Sequence, residues 1–262
     1  MDINLMVLNV GNSRLALGVF IAGELKHTSR LALSEPDALR AAIAEAWKLL
    51  ASTEAPAVCG ASVNPKADDE IEKTVLEIAA RAVQWVGEEI DLPIDVLTEN
   101  PAKTGVDRVL NVAAAYEQIG KACMVVDAGT ALTLDCCNDK GQFVGGVIAA
   151  GAATSLEALH SRTALLPELK LQAPEQVVGT STEQAMLSGA YHSARGLVRE
   201  VAESYATQLG QWPEVIATGG DAPVLFQGWE VVHAISPDLT FYGIALAFAN
   251  HHIKHDEPGA EL

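Results

Sequence analysis

The chain is short of positive charge: 17 lysines and arginines stand against 34 aspartates and glutamates, a net charge of −17 over 262 residues. Without a basic stripe to neutralise phosphodiesters, no nucleic-acid partner is expected. Aromatics are scarce as well, at 5%, although 49% of the residues are hydrophobic. The core they form is therefore aliphatic. No apolar run reaches the roughly 18 residues a membrane span requires, so no membrane association is expected. Asp2 and Asn4 occupy positions where a secretory leader carries basic residues, and no leader is expected. The four cysteines, Cys59, Cys123, Cys136 and Cys137, have no Cys-x-x-Cys spacing. Adjacent Cys136 and Cys137 would face opposite sides of a strand, and buried free thiols in a reducing cytoplasm are the expected state. The seven histidines show no metal-binding spacing and read as surface or helix-end residues.

What the chain does contain is a pattern written twice. Residues 125–135 read Val-Val-Asp-Ala-Gly-Thr-Ala-Leu-Thr-Leu-Asp, an apolar run closed by a carboxylate and followed by a tight turn into a second apolar run. Near the start, Val7-Leu8-Asn9-Val10-Gly11-Asn12-Ser13-Arg14 leads into Leu15–Phe20 with the same grammar. In such a hairpin, glycine admits a tight turn and lets a ligand approach the backbone. The hydroxyls of Ser13 and Thr130, with the turn N–H groups, can then hold phosphate oxygens. One such turn also closes an ordinary hairpin. Two, half a chain apart, point to paired half-domains and a nucleotide cleft.

Periodicity fills in the rest. Strands are expected at 5–9, 15–21, 24–31, 57–62, 83–86 and 94–97, with helices at 38–50, 69–82 and 106–118. A second series follows, with strands at 123–127, 131–136 and 142–148 and a helix at 153–159. A long helix at 182–209 carries the small residues Ser188, Gly189, Ala190, Ser193, Ala194 and Gly196. Strands at 214–218 and 229–233 and a helix at 238–251 close the chain. The expected fold is α/β, two similar half-domains of mixed sheet plus helices around a central cleft. The expected half-domains are 1–120 and 121–255, with a flexible tail at 256–262.

Five motifs in order, over nearly the whole chain, resemble those of type III pantothenate kinases, members of the acetate kinase/sugar kinase/Hsp70/actin superfamily. They are Asn9–Ser13; Asn100-Pro101 with Gly105-Val106-Asp107-Arg108; Asp127–Ala131; Gly145–Gly151 running to Thr163–Pro167; and Gly179–Thr182 with Ala185–Gly189, followed by Thr218–Asp221. The resemblance implies transfer of the ATP γ-phosphoryl group to the primary hydroxyl of pantothenate, the first step of coenzyme A synthesis. It implies Asp107 as general base, and Asn100, Gly105, Val106, Arg108 and Thr182 around pantothenate. Asn9, Val10, Gly11, Asn12, Ser13, Arg14, Gly129 and Thr130 would hold the ATP phosphates. Gly219 and Gly220 would let adenine lie against the backbone. Asp127 would orient Mg²⁺ or its waters, beside a monovalent cation, K⁺ or NH₄⁺. The resemblance also implies a homodimer whose interface completes the pantothenate pocket, with helix 182–197 packed either across a two-fold axis or within its own chain. On the residues alone, Asp107 is an acid at a helix start, held ionised by backbone N–H groups.

Two positions depart from the family pattern. Asn9 stands where the family has Asp, which removes a charge that attracts Mg²⁺ and adds an N–H donor. Ala150 stands where the family usually has Pro, which is expected to loosen a loop beside the phosphates. Asn9 keeps a second class of function in view, a catalytically weakened or inactive relative acting as a ligand-binding or regulatory protein. A third reading is phosphorylation of a different hydroxy acid.

Overall fold

In a computed structural model, which describes residues 3–256, the chain builds the same five-stranded sheet twice. The first contains β1 (Leu5–Val10), β2 (Arg14–Ile21), β3 (Glu24–Ala32), β4 (Ala57–Ser62) and β5 (Gln84–Trp85), in the order β3-β2-β1-β4-β5. The second contains β6 (Cys123–Ala128), β7 (Ala131–Cys137), β8 (Phe143–Ala150), β9 (Glu214–Thr218) and β10 (Ala234–Ile235), in the order β8-β7-β6-β9-β10. In each sheet the first three strands form an antiparallel meander, and the last two run parallel to the first. The mixed α/β architecture with two similar halves is thus as the sequence implies.

Helices cover these sheets where the apolar periodicity demands it. Between β3 and β4 lies α1 (Pro36–Leu50), and α2 (Pro65–Ala79) follows β4; both carry proline in the first turn, where a missing N–H costs nothing. Met6, Leu8 and Val10 of β1 meet Ile43, Ala46 and Leu50 of α1 and Ile71 and Val75 of α2 on one face of the sheet. The opposite face, through Leu5 and Val7, packs with Leu110 of α3 (Val106–Ile119) and with Phe241, Ile244 and Phe248 of α7 (Leu239–Asp256). An ideal Cβ on Gly243 would sit 2.3 Å from the Leu110 carbonyl oxygen, so α7 and α3 touch backbone to backbone there. The second sheet is covered by α4 (Ala152–Arg162), α5 (Thr182–Leu209) and α6 (Ala222–Phe226), which bury Met124, Val126, Ala128, Leu132 and Leu134. Ser181 caps α5 by accepting the Gln184 N–H at 3.2 Å, and Gly210 ends it in the left-handed region.

Contacts divide the chain into two compact units that differ from the linear halves expected. One comprises Met1–Asp95, Ala102–Ala114 and Thr240–Leu262; the other comprises Val96–Pro101 and Ala115–Leu239. The reason is the aromatic and aliphatic face of α7, which completes the first core although it comes last in sequence. The tail expected from residue 256 lies outside the described residues, apart from Asp256 at the end of α7.

Three local expectations change. Residues 94–97 form only a single bridge, Val96 with Phe143, closed by the Leu97 N–H on Phe143 O at 2.8 Å. Residues 229–233 are turns rather than a strand: the N–H groups of Trp229 and Val232 bond back to Phe226 and Trp229 carbonyls, and the paired residues begin at Ala234. Ala150 does not loosen a loop. It ends β8 in register with Ala131, because unlike proline it can remain in the ladder.

Candidate active site

The first repeated turn connects β1 to β2. Asn9 alternates with Leu5 and Val7, which places it on the face of the sheet covered by α3. The Gly11 N–H donates to Arg14 O at 2.9 Å, and the Leu33 N–H donates to Ser13 O at 2.9 Å. The Asn64 side-chain amide lies 3.4 Å from Gly11 O and 3.3 Å from Asn12 O. The turn's carbonyls are thereby drawn into the protein, while Asn12, Ser13 and Arg14 are exposed. Among the described residues, no acceptor takes the main-chain N–H of Asn12 or Ser13. Outward N–H groups on an exposed turn suit an anion.

The second turn, from β6 to β7, stands at the equivalent place in its sheet but is one residue shorter. Met124, Val126 and Ala128 face the helices, so Asp127 lies on the other face of the sheet. Its neighbour across both flanking strands is a threonine, Thr133 on β7 and Thr218 on β9. Thr130 O accepts the Gly151 N–H at 3.0 Å and the Thr154 hydroxyl at 2.8 Å; Ala131 O accepts the Gly129 N–H at 3.0 Å; and Ala128 O accepts the Asp221 N–H at 2.9 Å. Gly151 precedes α4 and packs so closely that an ideal Cβ would lie 2.0 Å from Gly129 O. The N-terminus of α4 is thereby held against the Gly129-Thr130 turn, adding positive potential there.

Gly219 and Gly220 follow β9 and differ from each other. Gly219 has a φ of +91°, and the space of its absent side chain holds Ala128 O and the Asp127 carboxylate. Its role is close packing beneath Asp127. Around Gly220 nothing lies within 4 Å of an ideal Cβ, so that position is open to a ligand.

Gly105, Val106, Asp107 and Arg108 form the start of α3 in the first unit. Asp107 is half-buried and accepts the Arg108 N–H at 2.8 Å. Burial raises its proton affinity above that of an ordinary aspartate, against the opposing pull of the Arg108 N–H and guanidinium. The N–H groups expected to hold it ionised are thus outweighed by desolvation. A carboxylate raised in this way is a better proton acceptor than an ordinary aspartate. Asn100 and Thr182 belong to the second unit and are exposed, Asn100 before a short 3₁₀ turn (Pro101–Lys103) and Thr182 at the first position of α5.

The profile of the family described as type III pantothenate kinase matches residues 5–204, a span that includes both turns and Asp107. The chain belongs to the type III pantothenate kinase family. A type III pantothenate kinase of Solibacter usitatus is 30% identical over 258 residues, 95% of this chain and 97% of the relative. One from Akkermansia muciniphila is 37% identical over 194 residues, 74% of this chain and 78% of the relative. Among solved structures, a Campylobacter jejuni protein assigned to the Baf transcriptional activator family superposes with a TM-score of 0.64 at 18% identity, covering 95% and 99% of the two chains. A Sinorhizobium meliloti protein assigned as a 2-dehydro-3-deoxygalactonokinase superposes with a TM-score of 0.59 at 11% identity, covering 98% of each. At these identities the two structures show a shared fold.

The type III kinase family also implies a divalent cation. Among the described residues, no group of three or more His, Cys, Asp or Glu is placed to hold a metal. Asp127 beside an anion-ready turn fits Mg²⁺ nonetheless, because that ion keeps several waters and takes one or two carboxylates together with phosphate oxygens. Sequence reasoning singled out both turns but not Asn64, Thr154 or the main-chain role of Asp221. Asn64 carried one signal, its place just before Pro65 at a helix start.

Proposed function

We propose that this chain transfers the γ-phosphoryl group of ATP to the primary hydroxyl of pantothenate, the entry reaction of coenzyme A synthesis. The observation that carries the proposal is Asp107, a half-buried carboxylate of raised proton affinity in the first turn of α3, in a chain that also bears two phosphate-ready turns. Phosphoryl transfer asks little covalent chemistry of a protein beyond positioning, charge stabilisation and a base for the hydroxyl proton. In this reading Asp107 takes that proton, and Arg108 with Gly105, Val106, Asn100 and Thr182 holds pantothenate. Residues Asn9–Arg14 and Gly129-Thr130 direct N–H and hydroxyl donors at the phosphates, and adenine rests beside Gly219-Gly220. Mg²⁺, when bound, neutralises charge on the phosphate oxygens, and Asp127 holds it or its waters. K⁺ or NH₄⁺ is the expected monovalent companion.

The working unit is proposed to be a homodimer in the cytoplasm. Support for the dimer comes from the stretch that joins α4 to α5, where Leu165, Val177 and Val178 are 92%, 70% and 79% exposed just before Thr182. On α5, Ala190 and Ala194 are buried in the unit's own core, whereas Gly189 and Gly196 face open space. The cytoplasm is suggested by four buried free thiols.

The test is ATP-dependent phosphorylation of pantothenate by purified protein with Mg²⁺ and K⁺ or NH₄⁺. Turnover that disappears in Asp107→Asn is the expected result. Absence of turnover in the wild type under both cations would overturn the reading.

A further inference from the structure

Asn64 occupies the N-cap position of α2, where asparagine ordinarily accepts a hydrogen bond from the first turn of its helix. Here it makes no capping bond. Its side-chain amide turns back across more than fifty residues to Gly11 O and Asn12 O, at 3.4 and 3.3 Å. Only the –NH₂ end can face two carbonyls, since the amide oxygen would meet them acceptor to acceptor. The Asn64 main-chain N–H donates to the Ser62 hydroxyl at 3.0 Å, which ties the start of α2 to the end of β4. With Leu33 N–H on Ser13 O and Gly11 N–H on Arg14 O, every carbonyl from residue 11 to residue 14 has a donor. In the second sheet the loop after β9 repeats a different bond, the Asp221 N–H on Ala128 O, which matches the Val63 N–H on Val10 O in the first; the reach of the Asn64 amide to the two turn carbonyls is additional to it.

We infer that Asn64 is a positioning residue for nucleotide: it pins the Gly11 and Asn12 carbonyls inward so that the Asn12 and Ser13 N–H groups point at a phosphate. This role rests on reading residues 9–14 as a nucleotide-phosphate turn.

The decisive variant is Asn64→Asp. It keeps the shape, can cap α2 as aspartate does, and sets a carboxylate against two carbonyls in place of a donor. Asn64→Ala removes the donors without adding charge. The probe is a non-hydrolysable ATP analogue with Mg²⁺, titrated calorimetrically into the full chain, alongside melting temperature and the KM for pantothenate. Expected are a loss of nucleotide affinity of about tenfold in Asn64→Ala, the worth of one or two neutral hydrogen bonds, and a larger loss in Asn64→Asp. The melting temperature of Asn64→Asp should stay level or rise, and the pantothenate KM should stay unchanged. Nucleotide affinity within twofold of wild type in Asn64→Asp, or an equal loss of pantothenate affinity, would overturn the role. A wild type that binds nucleotide without turning over would refute the kinase reading and leave the role standing on the affinities. A wild type that binds no nucleotide would refute both.

Discussion

The carboxylate of Asp127 occupies the space in which a side chain on Gly219 would begin: an ideal Cβ there would lie 2.4 Å from Asp127 Oδ1 and 2.3 Å from Ala128 O. Gly219 also sits at a φ of +91°, a conformation that L side chains rarely adopt. Gly219→Ala should therefore cost about 1–3 kcal/mol of stability and push Asp127 out of place. The expected result is a lowered melting temperature with a rise of at least about tenfold in the KM for MgATP. Gly220→Ala is the internal control, since its Cβ meets nothing within 4 Å. It should leave stability within about 0.5 kcal/mol and affect only nucleotide binding. Equal melting temperatures for the two variants would contradict this packing.

Asn9 lies on the α3-covered face of β1, one strand residue before the phosphate turn. Restoring a carboxylate there should add attraction for Mg²⁺ and its phosphates, because charge-assisted hydrogen bonds are roughly twice as strong as neutral ones. Asn9→Asp is expected to raise kcat by about tenfold, equivalent to roughly 1.4 kcal/mol, with the pantothenate KM unchanged. Steady-state kinetics decide it. An unchanged or lower kcat would mean that the backbone donors already suffice.

The sequence made the long-period features readable. Helix α5 runs over Thr182–Leu209, the span its periodicity predicts, and the β6–β7 hairpin forms around Gly129 as its turn chemistry demands. Short elements were less legible. The aromatic and β-branched residues Trp229, Val231 and Val232 imitate a strand, but the Trp229 ring stacks on Phe226 at 5.9 Å and the chain turns instead. Five-residue α6 offers too few positions for a period to emerge. Long-range packing was invisible. Nothing local in α7 says that Phe241 and Ile244 will meet Leu5 and Val7, and nothing near Asn64 says that its amide will reach Gly11. In the candidate site, the residues on the two turns could be named from spacing, whereas those that orient the turns come from distant segments.

Leu165, Val177 and Val178 expose large aliphatic side chains ahead of α5, and the Ser188 hydroxyl ties the stretch down by donating to Val177 O at 2.5 Å. An apolar strip held in place on the surface suits contact with a second copy of the chain. Val178→Glu should convert dimer to monomer in sedimentation or light scattering and raise the pantothenate KM, since Thr182 adjoins the strip. A wild type that sediments as a monomer would end the dimer proposal.

Asp107 gives the prediction with two opposite signs. As general base it must be ionised, so kcat/KM should fall as pH drops through its pKa. Burial places that fall above the ordinary value of 3.8. Asp107→Asn should reduce turnover by about 100- to 10 000-fold. For stability the direction reverses. A carboxyl group that binds its proton more tightly when folded stabilises the fold below 3.8, and that contribution disappears as pH rises through the raised folded value. At neutral pH the wild type therefore holds a desolvated charge that the neutral amide of the Asp107→Asn variant does not. Asp107→Asn should melt at a higher temperature than wild type at pH 7, and the gap should narrow as pH is lowered toward 3.8. Thermal melts across that range test it. A variant less stable than wild type at pH 7 would mean that the Arg108 N–H and guanidinium outweigh burial, and the acid limb of activity should then lie below 3.8.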